Sequence, residues 1–300
     1  MRSRVTWGHK SFAINEHYTA ANPPVLDITK VNDEVTIDKF LVRPDYRDTR
    51  DALHLGQGGT AGRVHKGFLT LSMMGRILVP NASQTATLAD KETALRLAFD
   101  PYECYRDSPT TEGVHALDWY EPTTDTTNYT TGWIAVRRYG RPMAQPETVW
   151  SKEDRSNRQW AVGLACPDPR LYEQTVAQTT VTTPFASTNL VNKGTIAAPL
   201  RATITMSGAG ASNFTITRGG VSFIVDLSGM AAAGVLIATM ETCGPFGRGR
   251  RITKNAVEAF NLKTSGPTTW LDVPAGTTAF TFANTTGITS ILLEFYHARA

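Results

Sequence analysis

Cysteine is scarce here: Cys104, Cys166 and Cys243 are odd in number, far apart and never in a Cys-x-x-Cys spacing. That argues against a disulfide framework and against a cysteine-built zinc site. Long apolar runs are missing too, and Met1-Arg2-Ser3-Arg4-Val5-Thr6-Trp7 has no apolar signal core. The expectation is a chain made in reducing cytoplasm without membrane insertion. Charged residues are only 19% of the chain and the net charge is +3, too little for a protein built to neutralise many phosphates. No specific nucleic-acid binding is expected. Leu/Ala/Glu/Lys-rich helical stretches are sparse as well.

Catalytic constellations are equally hard to find. His9, His17, His54, His65, His115 and His297 are scattered, with no His-x-x-x-His pair and no Gly-x-Ser-x-Gly elbow. Gly56-Gln57-Gly58-Gly59-Thr60-Ala61-Gly62 imitates a nucleotide loop but lacks a Gly-Lys-Ser/Thr ending and a following helix, so a hairpin loop is expected. Asp107, Glu112, Asp118, Glu121 and Asp125 suggest calcium, yet fit no EF-hand spacing. Asp226, Glu241 and Glu258 could be read as a glycosidase pair, and surface pairing with arginine is the expectation instead. Cys166 alternates inward with Val162 and Leu164, which makes it a core thiol. The sequence therefore points to a non-enzyme, with no catalytic, cofactor-binding or metal-binding residue expected.

What is present is 41% hydrophobic residues with abundant Thr, Gly and Pro, the make-up of short strands and turns. Three hundred residues suit two domains. The chain is organised around Val162–Tyr172. Val162, Leu164 and Cys166 alternate with small residues as in a strand, and Pro167 and Pro169 then stop the ladder. The polar stretch after it is read as a release between domains: 1–178 as the first domain, 179–188 as a linker and 189–300 as the second.

In the first domain Val35 and Ile37, then Phe40 and Val42, show a phase slip that predicts a β-bulge. Pro44-Asp45 could open a short helix reaching Leu55. One amphipathic helix is expected, capped by Thr87 and Asp90, with Leu88, Leu95, Ala98 and Phe99 on one face and Pro101 as its stop. Residues 103–130 look like a long polar loop, and Arg137, Arg138 and Arg141 like an exposed hairpin. In the second domain Leu200 to Met206, Phe214-Ile216, Val221 to Leu227, Val235 to Met240, Ala256 to Leu262, Thr278 to Phe282 and Ile291 to Tyr296 predict about seven strands of an antiparallel sandwich. Its basic stretch Gly247-Arg248-Gly249-Arg250-Arg251 is read first as a solvated loop.

Four stretches, taken in order, carry a family resemblance: Ala165–Tyr172 with its Pro-Asp-Pro-Arg-x-Tyr ending, Asn192-Lys193-Gly194-Thr195-Ile196-Ala197-Ala198-Pro199, Trp270 to Thr278, and Leu293 to Arg299. They are similar to stretches of siphophage distal tail proteins, with an extra Ala275 and with Thr277-Thr278 where that family commonly has Asn. The resemblance implies a mainly β virion protein: an N-terminal β-barrel or sandwich-like domain with one α-helix, then a galectin-like β-sandwich. It also implies a ring, usually a hexamer, joining the tail tube to tail-tip hub or baseplate proteins at the distal end of the tail, with the tape-measure protein as a further candidate neighbour. In related phages such chains are also called minor tail proteins. A carbohydrate-binding adhesin, with Trp270 as its platform, is the alternative. One or both of the loops 56–67 and 103–130 are expected to be buried between copies.

Overall fold

In the computed structural model, residues 3–27, 34–48, 64–79, 85–150, 157–239, 243–248, 250–264 and 269–300 are described. The chain divides into two units, Met1–Pro169 and Arg170–Ala300.

The first unit holds β1 (Val5–Trp7), β2 (Phe12–Ile14), β3 (Glu34–Asp48), β4 (Val64–Leu78), α1 (Thr85–Ala98), α2 (Pro101–Asp107), β5 (His115–Pro122), β6 (Trp133–Pro142), β7 (Glu147–Trp150) and β8 (Asn157–Cys166). Antiparallel pairing runs β3–β4–β8–β6–β5–β1–β2, with β7 beside β8. Asn15 joins the two ends of this run of strands, and His17 bonds Glu34 at the start of β3 beside it. The Asn15 amide donates to the Val35 carbonyl at 2.7 Å, and the Asn15 Oδ1 accepts the Ile37 amide at 2.7 Å. Asn15 is buried at a φ of 55°, a left-handed backbone that asparagine tolerates better than most residues. The barrel core includes Trp7, Ile14, Leu71, Met73, Trp119, Val136 and Leu164, all buried.

The anticipated bulge is real: the β3–β4 register shifts between Ile37 and Lys39. Gly75 faces it, where any Cβ would collide with the Thr36 carbonyl. The helix placed at Pro44 is not formed; residues 44–48 continue β3, and 49–55 lie outside the described residues.

Leu88, Leu95 and Ala98 on α1, and Phe99 just past its end, are buried as the spacing required. The helix begins at Thr85, however, so Thr87 sits within it rather than capping it. Pro101 is not only a stop. Asp100 caps a second helix, accepting hydrogen bonds from the Tyr102 and Glu103 amides, and Pro101 occupies its first turn, where a missing N–H costs nothing. The presumed loop 103–130 contains most of α2 and all of β5, which pairs with β6 from His115 to Pro122. Its length came from a polar composition that hides the inward positions Leu117 and Trp119.

The second unit contains β9 (Leu171–Thr182), β10 (Thr188–Asn192), β11 (Ala198–Pro199), β12 (Arg201–Met206), β13 (Phe214–Arg218), β14 (Val221–Val225), β15 (Val235–Thr239), β16 (Cys243–Gly244), β17 (Gly247–Arg248), β18 (Arg251–Lys254), β19 (Val257–Glu258), β20 (Asp272–Val273), β21 (Gly276–Ala283) and β22 (Ile288–Arg299). One antiparallel sheet runs β19–β18–β15–β12–β22–β9, the other β10–β21–β13–β14. Ile204, Leu236, Ile252 and Ile291 are buried on the first, and Leu190, Ile216, Phe223 and Phe280 on the second. Two sheets each hiding one face cover one another as a sandwich.

Strand bounds differ from the expectation in two places. Of the stretch 179–188, residues 183–187 lie between strands, whereas 179–182 belong to β9, which pairs with β22 from Leu171 to Thr182. Its alternation is carried by Thr and Gln on a sheet face that burial leaves open, so composition disguised it. The strand expected at 256–262 reduces to β19 followed by a 3-10 turn.

Candidate functional site

Within the second unit, residues of the four motif stretches meet at one corner. Asn192 is buried and donates through Nδ2 to the carbonyls of Ile196 and Val273, both at 2.9 Å, while its Oδ1 accepts the Gly194 amide at 2.9 Å. β11 pairs with β20, joining the Ala198–Pro199 end to Asp272–Val273. The amides of Thr195 and Ile196 donate to the Ala298 carbonyl at 2.9 and 3.2 Å. Ala298 also faces Tyr172 across the β22–β9 ladder. Gly194 lies so close to Ala298 that a Cβ would strike its carbonyl and amide. These stretches are therefore the knot of the sandwich, and their chemistry is backbone satisfaction.

The candidate reactive groups are dispersed into local contacts. Cys104 and Cys166 are buried free thiols, and burial pushes each up to about 12, which keeps them protonated at neutral pH. Of the calcium candidates, Asp118 is gripped by Arg137 at 2.7 Å through both oxygens. Glu121 accepts the Trp119 indole N–H at 3.0 Å, and Asp125 accepts from Asn128. Among the described residues no group of three or more His, Cys, Asp or Glu is placed to hold a metal ion. Asp226 accepts hydrogen bonds from Ser228, Glu258 is exposed on β19, and Glu241 lies outside the described residues. Arg137 and Arg138 do not form an exposed tip: the first is paired as above and the second is buried, leaving Arg141 exposed.

Sequence spacing missed a cluster around the Ala98 carbonyl. Where α1 ends, that oxygen accepts from Trp7 Nε1 at 2.7 Å and His9 Nδ1 at 2.9 Å. His9 Nε2 meets Asp107 at 3.0 Å, and Lys10 donates to the same carboxylate at 2.8 Å. Lys10 first and His9 second hold the Asp107 carboxyl well below the usual carboxylate range. Some 90 residues separate these partners, so no local pattern could have announced them. On the other side of α1, Glu92 ion-pairs with Arg96 and Arg158 and accepts the Thr148 hydroxyl at 2.7 Å, fixing the helix to β7 and β8.

Several apolar side chains of the first unit stay open among the described residues, Val25, Leu26 and Val42 included. Met74, Met143 and Val149 are 42%, 61% and 60% exposed. Met74 and Val149 rim a hollow of about 290 Å³ shared with Asp38, Glu147 and Ala161. Leu97 on α1 and Tyr102 and Tyr105 on α2 are exposed as well. α1 contacts β7 through Thr148, whereas Val149 points the opposite way by strand alternation. β4 also outruns β8: beyond Leu69 its strand partner among the described residues is β3 alone, leaving a two-stranded arm. The loop expected at 56–67 falls outside the described residues up to 63, and 64–67 belong to that arm.

In the second unit Trp270 is half-buried between Phe223 and Phe260, with Lys263 over its ring at 5.8 Å. Arg250 and Arg251 are exposed. Arg201 bridges Glu294 through two 2.8 Å bonds and lies 4.3 Å over the Phe246 ring, so the 243–248 hairpin is held down on the sheet's outer face.

No family model and no curated protein matches the sequence. Among solved structures, the fold is similar to that of the Dit protein of phage SPP1, described as a paradigm of the hub adsorption apparatus in phages infecting Gram-positive bacteria. The TM-score is 0.56 at 12% identity, over 97% of this chain and 98% of that one. Chains of the phage P2 baseplate in its activated conformation, with Ca and with Sr, align at TM-scores of 0.45 and 0.42 with 7% and 6% identity. They cover 100% and 98% of this chain and 99% and 97% of theirs.

Proposed function

We propose that this protein is a structural component of the distal end of a long-tailed phage tail, a hub ring between tail tube and tail-tip proteins. The observation that carries the reading is the shared architecture with a phage hub protein over nearly the whole of both chains, first unit and second unit alike. The motif resemblance, which runs across both units, points the same way.

The first unit supports a ring in physical terms. A copy with exposed apolar side chains on different elements, Val149 on β7 and Tyr102 on α2 among them, is suited to head-to-tail association, which closes into a ring when the rotation allows. The β3–β4 arm adds strand edges that a neighbour could pair with, and ring closure would remove them. Six copies is the number the family resemblance implies. The galectin-like description of the second unit, the tail tube, the tail-tip hub and the tape-measure protein as neighbours, and the absence of enzymatic activity belong to the same proposal. The test is electron microscopy of the purified chain mixed with tail tube protein. A ring capping tube ends supports the reading, and bare tube ends beside unassociated protein would overturn it.

A further inference from the structure

We propose that the corner where β22 ends carries an acid-operated latch, in which His297 holds the turn at residues 193–196 only while its ring is neutral. His297 sits where the β22–β9 register breaks: Tyr296 faces Val176 and Ala298 faces Tyr172, so residues 173–175 of β9 oppose His297 alone. It is buried, with the Phe295 ring edge-on at 5.3 Å. Its Nδ1 lies 3.2 Å from the Lys193 amide. An amide N–H only donates, so Nδ1 accepts and carries no proton, and the ring proton belongs on Nε2.

Adding a proton at Nδ1 consumes the lone pair that Lys193 uses and sets one N–H against another. The charged groups facing His297 are Glu173 from β9, Lys193 from the turn and Arg299 from β22. Burial first, then Lys193 and Arg299, disfavour the cation, and Glu173 alone favours it. Glu173 is already approached by Arg299 at 3.5 Å, so the new cation competes for a carboxylate in use. The turn bears directly on β22 through the two amides donated to Ala298 and the close approach of Gly194. Loosening it therefore frees the pairs beyond the bulge, Ala298 with Tyr172 and Arg299 with Leu171, which are the first strand residues of the second unit.

The test is hydrogen exchange followed residue by residue between pH 7.5 and 5, corrected for intrinsic rates, on the whole chain and on His297→Asn. An asparagine side-chain oxygen can accept the Lys193 amide but does not titrate. Protection at Lys193, Thr195 and Ile196 should fall about tenfold per pH unit once His297 begins to protonate, and stay flat in the variant. Equal acid loss in both chains would overturn the proposal. Should the variant fail to fold, nitrogen NMR of the wild-type ring decides. Nε2–H with a bare Nδ1 at pH 7.5, and a Lys193 amide shift that follows the ring's titration, is the expected result. A protonated Nδ1 at neutral pH, or an amide indifferent to the titration, sinks it.

Discussion

The side-chain oxygen of Asn15 takes the amide hydrogen of Ile37 at 2.7 Å, and this contact closes the first barrel between β2 and β3. Replacing Asn15 by Ala strands a buried N–H and forces alanine into a left-handed backbone, at a cost of about 2–4 kcal/mol. Asn15→Gly keeps the backbone and loses only the side-chain bonds, to the Ile37 amide and the Ser3 carbonyl, so chemical denaturation should place it between wild type and Asn15→Ala. Equal stability of all three chains would mean that the barrel closes by other means.

Gly194 and Gly208 form a matched pair for the corner of the second unit. A Cβ at Gly194 would collide with Ala298 backbone, whereas nothing lies within 4 Å of one at Gly208. Gly194→Ala is expected to destabilise by more than about 3 kcal/mol, and Gly208→Ala by less than about 0.5 kcal/mol. Thermal melts of both variants check the contrast.

Arg201 serves Glu294 and Phe246 together. Its loss leaves a buried carboxylate without its partner and uncovers the 243–248 hairpin. Because Arg201 is itself a third exposed, Arg201→Leu should cost about 2 kcal/mol rather than the full value of a buried pair, and proteolysis at 243–250 should accelerate. Adding Glu294→Leu should restore part of that stability. A double variant weaker than the sum of the singles would contradict the pairing account.

His115 makes the first unit acid-sensitive. Its Nε2 donates to the Cys104 carbonyl at 3.2 Å, and burial lowers its pKa from 6.5. Below about pH 6.5 the unfolded chain then binds a proton that the folded chain resists, so stability falls as the pH drops through that window. The melting temperature should decline from pH 7.5 to 5.5, with a shallower slope in His115→Gln. Identical slopes would show that His115 does not titrate in this range.

The exposed Val149 and Tyr102 of the first unit give a mixing test of head-to-tail association. Val149→Asp and Tyr102→Asp should each abolish higher assemblies, because a ring needs both surfaces on every copy. Mixed together they should form pairs through the one junction that remains intact. Rings persisting in both single variants would place the contact elsewhere.

Much of this architecture was legible where residues alternate or recur on one helical face. The slip between Ile37 and Phe40 gave the bulge, and Leu88, Leu95 and Phe99 gave α1. What escaped was carried by polar residues or by distance. Threonine and glutamine on an open sheet face hid β9, and Pro101 was read as an ending when Asp100 makes it a beginning. Asn15 and the His9–Asp107 contact depend on partners far away in sequence. The four motifs were visible as strings, but only the folded chain brings Asn192, Val273, Ala298 and Tyr172 to one corner.

The most direct test of the ring is the absolute mass of the purified protein in solution, alone and with tail tube protein. Assembly to a discrete multiple of the 32.7 kDa chain, six on the family expectation, is the predicted result. A single 32.7 kDa species at every concentration, with and without the tube protein, would contradict it.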